Sequence, residues 1–182
     1  MIKAEHKAEL QFSVSAIKGI LSKGSAVEIT DELAVAITAA TEYLISEILE
    51  LSGNTTRDNR RIRITTEFIN IAIEKDNELK QTFKMMPIIV DDNLLTFRAQ
   101  TSKVLKLVHP HTSITGEAAK HMDAIIHTFI EDCSIQIKQG VTDISDMMHT
   151  ILYGTLATHA AAEANKAVQK YKTWTPSTAP TD

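Results

Sequence analysis

The sequence predicts an all-α protein made of two similar three-helix units in tandem, packed against each other. Apolar residues recur at spacings of three and four along most of the chain, and no clear strand alternation appears. Only 6 Gly and 4 Pro interrupt 182 residues, and aromatic residues make up 5%. A short, long, short order of helical segments occurs twice. One such unit alone would leave too much of its long helix uncovered, so the two are expected to close on each other.

The first short helix is read at Val14 to Leu21, stopped by Lys23-Gly24. The long helix starts at the cap-like Thr30-Asp31 and puts Leu33, Ile37, Ala40, Leu44, Ile48 and Leu51 on one stripe. It is expected to end near Gly53-Asn54 or one turn later. A third helix, Thr66 to Lys75, follows a basic loop. The run from Met86 to Asn93 breaks the period with Pro87 and paired acids around Ile88-Ile89-Val90, and reads as a connector.

Beyond it, a short helix is expected from Leu95 to Val108, stopped by His109-Pro110. A long helix capped by Thr115 follows, with Ala118, Met122, Ile125, Phe129 and Cys133 on its apolar stripe. Two more helices are read at Asp143 to Leu152 and Thr155 to Lys172, the last with Glu163 placed to pair with Lys166 and Lys170. The division is therefore a first unit at 1–83, a connector at 84–93, a second unit at 94–172 and a Pro-, Thr- and Ser-rich tail at 173–182, expected to be disordered.

Charge and composition exclude several function classes. The chain has 19 Lys and Arg against 23 Asp and Glu, a net of -4, unlike a polybasic nucleic-acid binder. Each half is net acidic, with 11 basic and 13 acidic residues in 1–90 and 8 and 10 in 91–182. The charged opening lacks a signal-peptide core and no apolar run is long enough to span a bilayer, so an intracellular protein without membrane contact is expected. Cys133, the one cysteine, has no partner for a disulfide or a CxxC site and reads as a buried core residue. His109, His111, His121, His127, His149 and His159 share no metal-binding face, and no Gly-rich phosphate loop or GxSxG elbow occurs. Neither an enzyme, a metal site nor a cofactor is expected.

Specific residues then carry a resemblance. Leu10-Gln11-Phe12, Glu42-Tyr43-Leu44, Glu47 through Asn54, Arg57-Asp58-Asn59-Arg60-Arg61-Ile62-Arg63-Ile64 and Asp76 to Leu79 resemble core histone 2A. In the second half, Lys103-Val104-Leu105-Lys106-Leu107-Val108-His109-Pro110, Leu156 to Ala160, Glu163 and Lys166 to Tyr171 are similar to core histone 2B. Together they span residues 10 to 172 and resemble the histone doublets of some giant DNA viruses. The resemblance implies two tandem histone folds in an intramolecular handshake, acting in DNA packaging with histone 3 and 4-like proteins or a doublet of them. It also implies residence in a virion, a viral factory or a host nucleus.

The same resemblance assigns candidate sites. Four arginines lie within seven residues, Arg57, Arg60, Arg61 and Arg63, a density that spacing alone would leave as a solvated surface. In the family this loop meets the phosphates of double-stranded DNA without reading sequence, and the arginine matching Arg63 enters the minor groove. Lys18, Lys23, Lys103, Lys106 and Lys120 are further phosphate candidates. Departures weaken the pattern: one Lys on the first short helix where the family has several arginines, Glu28-Ile29 where a groove-entering arginine is usual, and a shortened segment after Lys138 without its basic loop.

Glu42, Glu47 and Glu50 fall within about 140° of arc on the long helix, opposite its apolar stripe. Composition alone makes them a solubilising face. The resemblance makes them, with Asp76, Glu78 and Glu163, an acidic patch for arginine-anchored chromatin or viral factors, thinned because Asn77 and Thr155 replace acidic residues. Two functions stay open on the sequence: DNA packaging, or a histone-dimer mimic that docks through the acidic face and occupies histone chaperones without wrapping DNA.

Overall fold

The computed structural model describes residues 2–23, 26–88, 91 and 93–175. These form α1 (Ala4–Lys7), α2 (Val14–Leu21), α3 (Asp31–Asp58), β1 (Arg63–Ile64), α4 (Thr66–Lys75), α5 (Asn77–Met85), α6 (Arg98–Val108), β2 (Ser113–Ile114), α7 (Gly116–Lys138), α8 (Ile144–Ile151) and α9 (Thr155–Thr173). The fold is all-α, with α2-α3-α4 and α6-α7-α8 as the two short, long, short units.

Local chemistry sets most helix starts. Ser13, Thr30, Thr65, Asp76, Thr115 and Asp143 each accept a backbone N–H three residues ahead, satisfying a donor that the first helical turn leaves without a partner. α9 has no such cap of its own. Its preceding Gly154 sits at φ 64°, and a Cβ there would lie 2.3 Å from Oε1 of Glu78. Glu78, from the first unit, supplies the cap instead: its carboxylate accepts the N–H groups of Thr155 at 2.8 Å and Leu156 at 2.9 Å.

The units close in a handshake around α3 and α7. On α3, Ile37, Ala40, Leu44 and Ile48 are fully buried, while Leu33 and Leu51 at the ends of the stripe are half-buried. On α7 all five stripe residues are buried, Cys133 among them. Phe12 and Phe97 stack across the units with ring centroids 5.6 Å apart. The loops after α3 and α6 meet in a parallel bridge, with Arg63 opposite Ser113 and Ile64 opposite Ile114.

α3 ends at Asp58, the later of its two expected ends, because Gly53 is a contact point: a Cβ there would fall 2.1 Å from the His109 ring, whose Nε2–H donates to the Glu50 carbonyl at 2.9 Å. Other boundaries differ from expectation. α6 begins at Arg98 rather than Leu95, since Asp123 accepts the Phe97 N–H at 2.8 Å and draws Phe97 into the core, leaving Leu95 outside. α5 was not anticipated and runs through 83 and 84, where the first unit was expected to end; only Leu79 and Thr82 are buried on it, too few to mark a period. Thr173 is helical and Trp174 half-buried, so order extends into the expected tail. The expected disorder at 176–182 falls outside the described residues.

The last turns of α9 are held against the first unit. Lys170 pairs with Glu9, Lys172 with Glu32 at 2.7 Å, and Tyr171 donates to Asp31 at 3.4 Å. Lys7 lies over the rings of Tyr171 and Trp174, 5.6 and 5.4 Å from their centroids. These exposed pairs contribute little singly. Together they tie the last helix of the second unit to the start of the first.

Candidate functional site

The basic loop leaves α3 through a tight turn. Arg60 adopts φ 55°, and the Arg61 N–H returns to the Thr56 carbonyl at 2.9 Å. The chain then enters β1, where the Ile62 carbonyl accepts the Ser113 N–H at 3.1 Å and the Ile64 carbonyl accepts that of Thr115 at 3.0 Å. This second attachment fixes the loop, and Ile64 anchors it in the core while Arg57, Arg60, Arg61 and Arg63 stay exposed. Arg57 is partly engaged, donating to Asn54 at 2.8 Å. A shallow hollow here joins Arg61, Ile62, Arg63 and Phe68 to Thr115, the cap of α7.

The lysines are less available than their spacing suggested. Lys18 is paired with Asp31 at 2.7 Å. Lys106 donates to the carbonyls of Pro110 and Thr112, at 3.0 and 3.2 Å, and so braces the β2 loop. Lys103 borders a separate hollow with Lys3, Gln11 and Gln100. Lys23 is exposed at the end of α2. Lys120 is exposed one turn into α7 and borders a hollow with Asp91, Leu94 and Arg98 rather than the basic loop. Around the bridge the charge is therefore carried mainly by arginines.

The acidic residues divide in a way their helical angles did not reveal. Glu42 is half-buried and faces the turn before α2, where it accepts the N–H groups of Gln11 at 2.7 Å and Phe12 at 3.1 Å. Burial raises its pKa against those bonds. The expected exposed triad is thus corrected: Glu42 is a structural acceptor, because the chain before α2 folds over that part of α3. Glu78 is likewise engaged at α9, and its pKa is held down first by the Thr155 N–H. Asp76 caps α5 through the Leu79 N–H at 2.8 Å.

Glu50 and Glu163 are exposed, Glu163 at 3.5 Å from Lys166, and Glu47 is half-buried beside them. Glu47 has a raised pKa, chiefly from burial and then from the charge of Glu50. Beside them stand Tyr43 and His159, which the sequence reading did not select. Their rings meet edge to face, with the Tyr43 hydroxyl 3.3 Å from Nδ1 of His159. Burial first, then Glu47 and Glu78, push the Tyr43 pKa up to about 12. Tyr43 stands in the Glu42-Tyr43-Leu44 motif, one helical turn before Glu47, and His159 in Leu156 to Ala160 of the other unit, and neither motif signals that the two meet.

Among the described residues no group of three or more His, Cys, Asp or Glu side chains could hold a metal ion, and no helix is long and apolar enough to cross a membrane.

No family model matches the chain. Individual proteins do. The histone 2B-2A doublet of Melbournevirus is 40% identical over 74 residues, 40% of this chain and 28% of that protein. Histone 2A of Kluyveromyces lactis is 43% identical over 76 residues, and that of Plasmodium falciparum 45% over 76, each match covering 41% of this chain and 58% of the relative. The matched stretch thus spans between about a quarter and three fifths of these relatives. Over about two fifths of its length the chain is therefore similar to histone 2A and to a viral histone doublet.

Proposed function

We propose that the chain is a structural DNA-packaging protein, a histone doublet that joins histone 3 and 4-like partners in nucleosome-like particles. The observation that carries this is the bridge between β1 and β2, which holds Arg63 and the turn before it while Arg60, Arg61 and Arg63 stay exposed. Arginines so held meet phosphates and a minor groove without base selection. Histone relatives support a structural rather than enzymatic role. A tether also keeps two halves at an effective concentration of about mM, so the pair needs no second chain to persist at dilution. Glu47, Glu50 and Glu163, with Asp76 and Glu78 behind them, would form the acidic patch, and Lys23 and Lys103 would add secondary phosphate contacts.

The second reading, a histone-dimer mimic that engages chaperones or arginine-anchored factors without wrapping DNA, is favoured by the net charge of -4 and by the engagement of Lys18 and Lys106 within the protein. Reconstitution with a histone 3 and 4 tetramer, followed by nuclease digestion, separates the two. Protected DNA of defined length is expected for packaging. Tetramer or chaperone binding with no protected fragment would establish the mimic instead.

A further inference from the structure

We propose that Ile62 is a sugar-contacting residue that makes the basic loop prefer deoxyribose to ribose, an inference that rests on the DNA-packaging reading above. Ile62 is 74% exposed, the highest value among the large apolar side chains described. Isolated exposed apolar residues are ordinary on protein surfaces. This one differs in being held. The Arg61 N–H and the Ile62 carbonyl are both bonded, at 2.9 and 3.1 Å, and Ile64 is locked in the core, so the side chain has no local route to burial.

Its neighbours point to the ligand. Arg61 and Arg63 flank it in sequence, and the three border one shallow hollow with Thr65, Phe68 and Thr115, where Glu67 is the one carboxylate. Two guanidiniums either side of a branched aliphatic group match the alternation of a nucleic-acid strand, in which each sugar lies between charged phosphates. The sugar of DNA presents C–H groups there, which an Ile can cover with loss of water from both. RNA displays its 2′-hydroxyl in the minor groove, and covering that group without a hydrogen bond is unfavourable.

The test uses the full chain and two short duplexes of one sequence, DNA and RNA, titrated by fluorescence anisotropy across a salt series. Wild type is expected to prefer DNA. Ile62→Ser should weaken DNA binding by about tenfold, the worth of one aliphatic side chain removed from water, and leave RNA binding nearly unchanged. Its salt slope on DNA should equal that of wild type, because no phosphate contact is lost. Ile62→Leu should retain the preference, and thermal melts of both variants should overlay wild type. Equal weakening on both duplexes, no weakening on either, or a wild type without preference would overturn the proposal. The combined Arg60→Ala, Arg61→Ala and Arg63→Ala variant isolates the parent reading: a flattened slope there with an inert Ile62→Ser retains the DNA loop and removes Ile62, whereas an unchanged slope removes both.

Discussion

Replacing Glu78 by Ala should destabilise the whole fold, although the residue is polar and partly exposed. Its carboxylate is the only cap of α9, accepting Thr155 N–H at 2.8 Å, Leu156 N–H at 2.9 Å and the Thr155 hydroxyl at 2.9 Å. Loss of a helix N-cap costs about 1–2 kcal/mol, with the upper end appropriate where an ionised acceptor serves two N–H groups. For a chain of this size each kcal/mol lowers Tm by about 2–4 °C, so Glu78→Ala should melt about 3–8 °C below wild type near pH 7. Glu78→Gln, which keeps an acceptor, should lose less. The pKa of Glu78 is lower folded than unfolded, so its contribution is present above the unfolded value and fades as pH falls through the folded one. Melts at pH 7 and pH 3 by circular dichroism provide the assay. The difference between wild type and Glu78→Ala should shrink at pH 3. An undiminished difference there, or none at pH 7, would refute the assignment of the cap.

Three further outcomes follow from the same geometry. Calorimetry of the intact chain should show one transition, since α3 and α7 are buried against both units, and a 1–90 fragment should not fold alone. Gly53→Ala forces a methyl into the His109 ring and should cost about 1–3 kcal/mol, read as a lowered denaturant midpoint, whereas the open Gly19 tolerates Ala. Reversing charge at Glu47 and Glu50 should abolish binding of an arginine-anchored peptide, measured by titration, with the exposed Glu50 leaving the melt nearly unchanged and the half-buried Glu47 lowering it; persistent binding in the folded variant would place the peptide elsewhere.

Period and capping made most helices legible in the sequence, because both are local. α2 and α4 lie at their expected bounds, and Thr30 and Thr115 cap where expected. What escaped were contacts between units. Gly53 looks like a helix terminator until His109 is placed against it, and Glu42 looks like surface until the chain before α2 crosses it. The acidic stripe at 42, 47 and 50 is one helical face but two environments, since a neighbouring segment covers one end only. Tyr43 and His159 are 116 residues apart. No spacing rule joins them, and only the closure of the handshake does.

That closure also sorts the basic charge by location, with a consequence for how DNA could lie. At the bridged end, Arg60, Arg61 and Arg63 are exposed beside the start of α7. At the opposite end of α3, Lys18 and Lys172 are paired with Asp31 and Glu32. Glu28 follows α2, and Asp143 and Asp146 lie at the cap and first turn of α8, after Lys138. Phosphates would have to displace internal partners there, against additional like charge. The packaging reading therefore predicts one strong contact per chain rather than two. Three phosphates neutralised at one site give a slope of log K against log salt of about -3 on duplex DNA. Hydroxyl-radical footprinting of a reconstituted particle should show one protected minor groove for each doublet, lost in the triple arginine variant. A second protection of equal depth one helical turn away, surviving that variant, would show that Lys18 and its neighbours release their carboxylates to bind DNA, and the one-ended arrangement would be wrong.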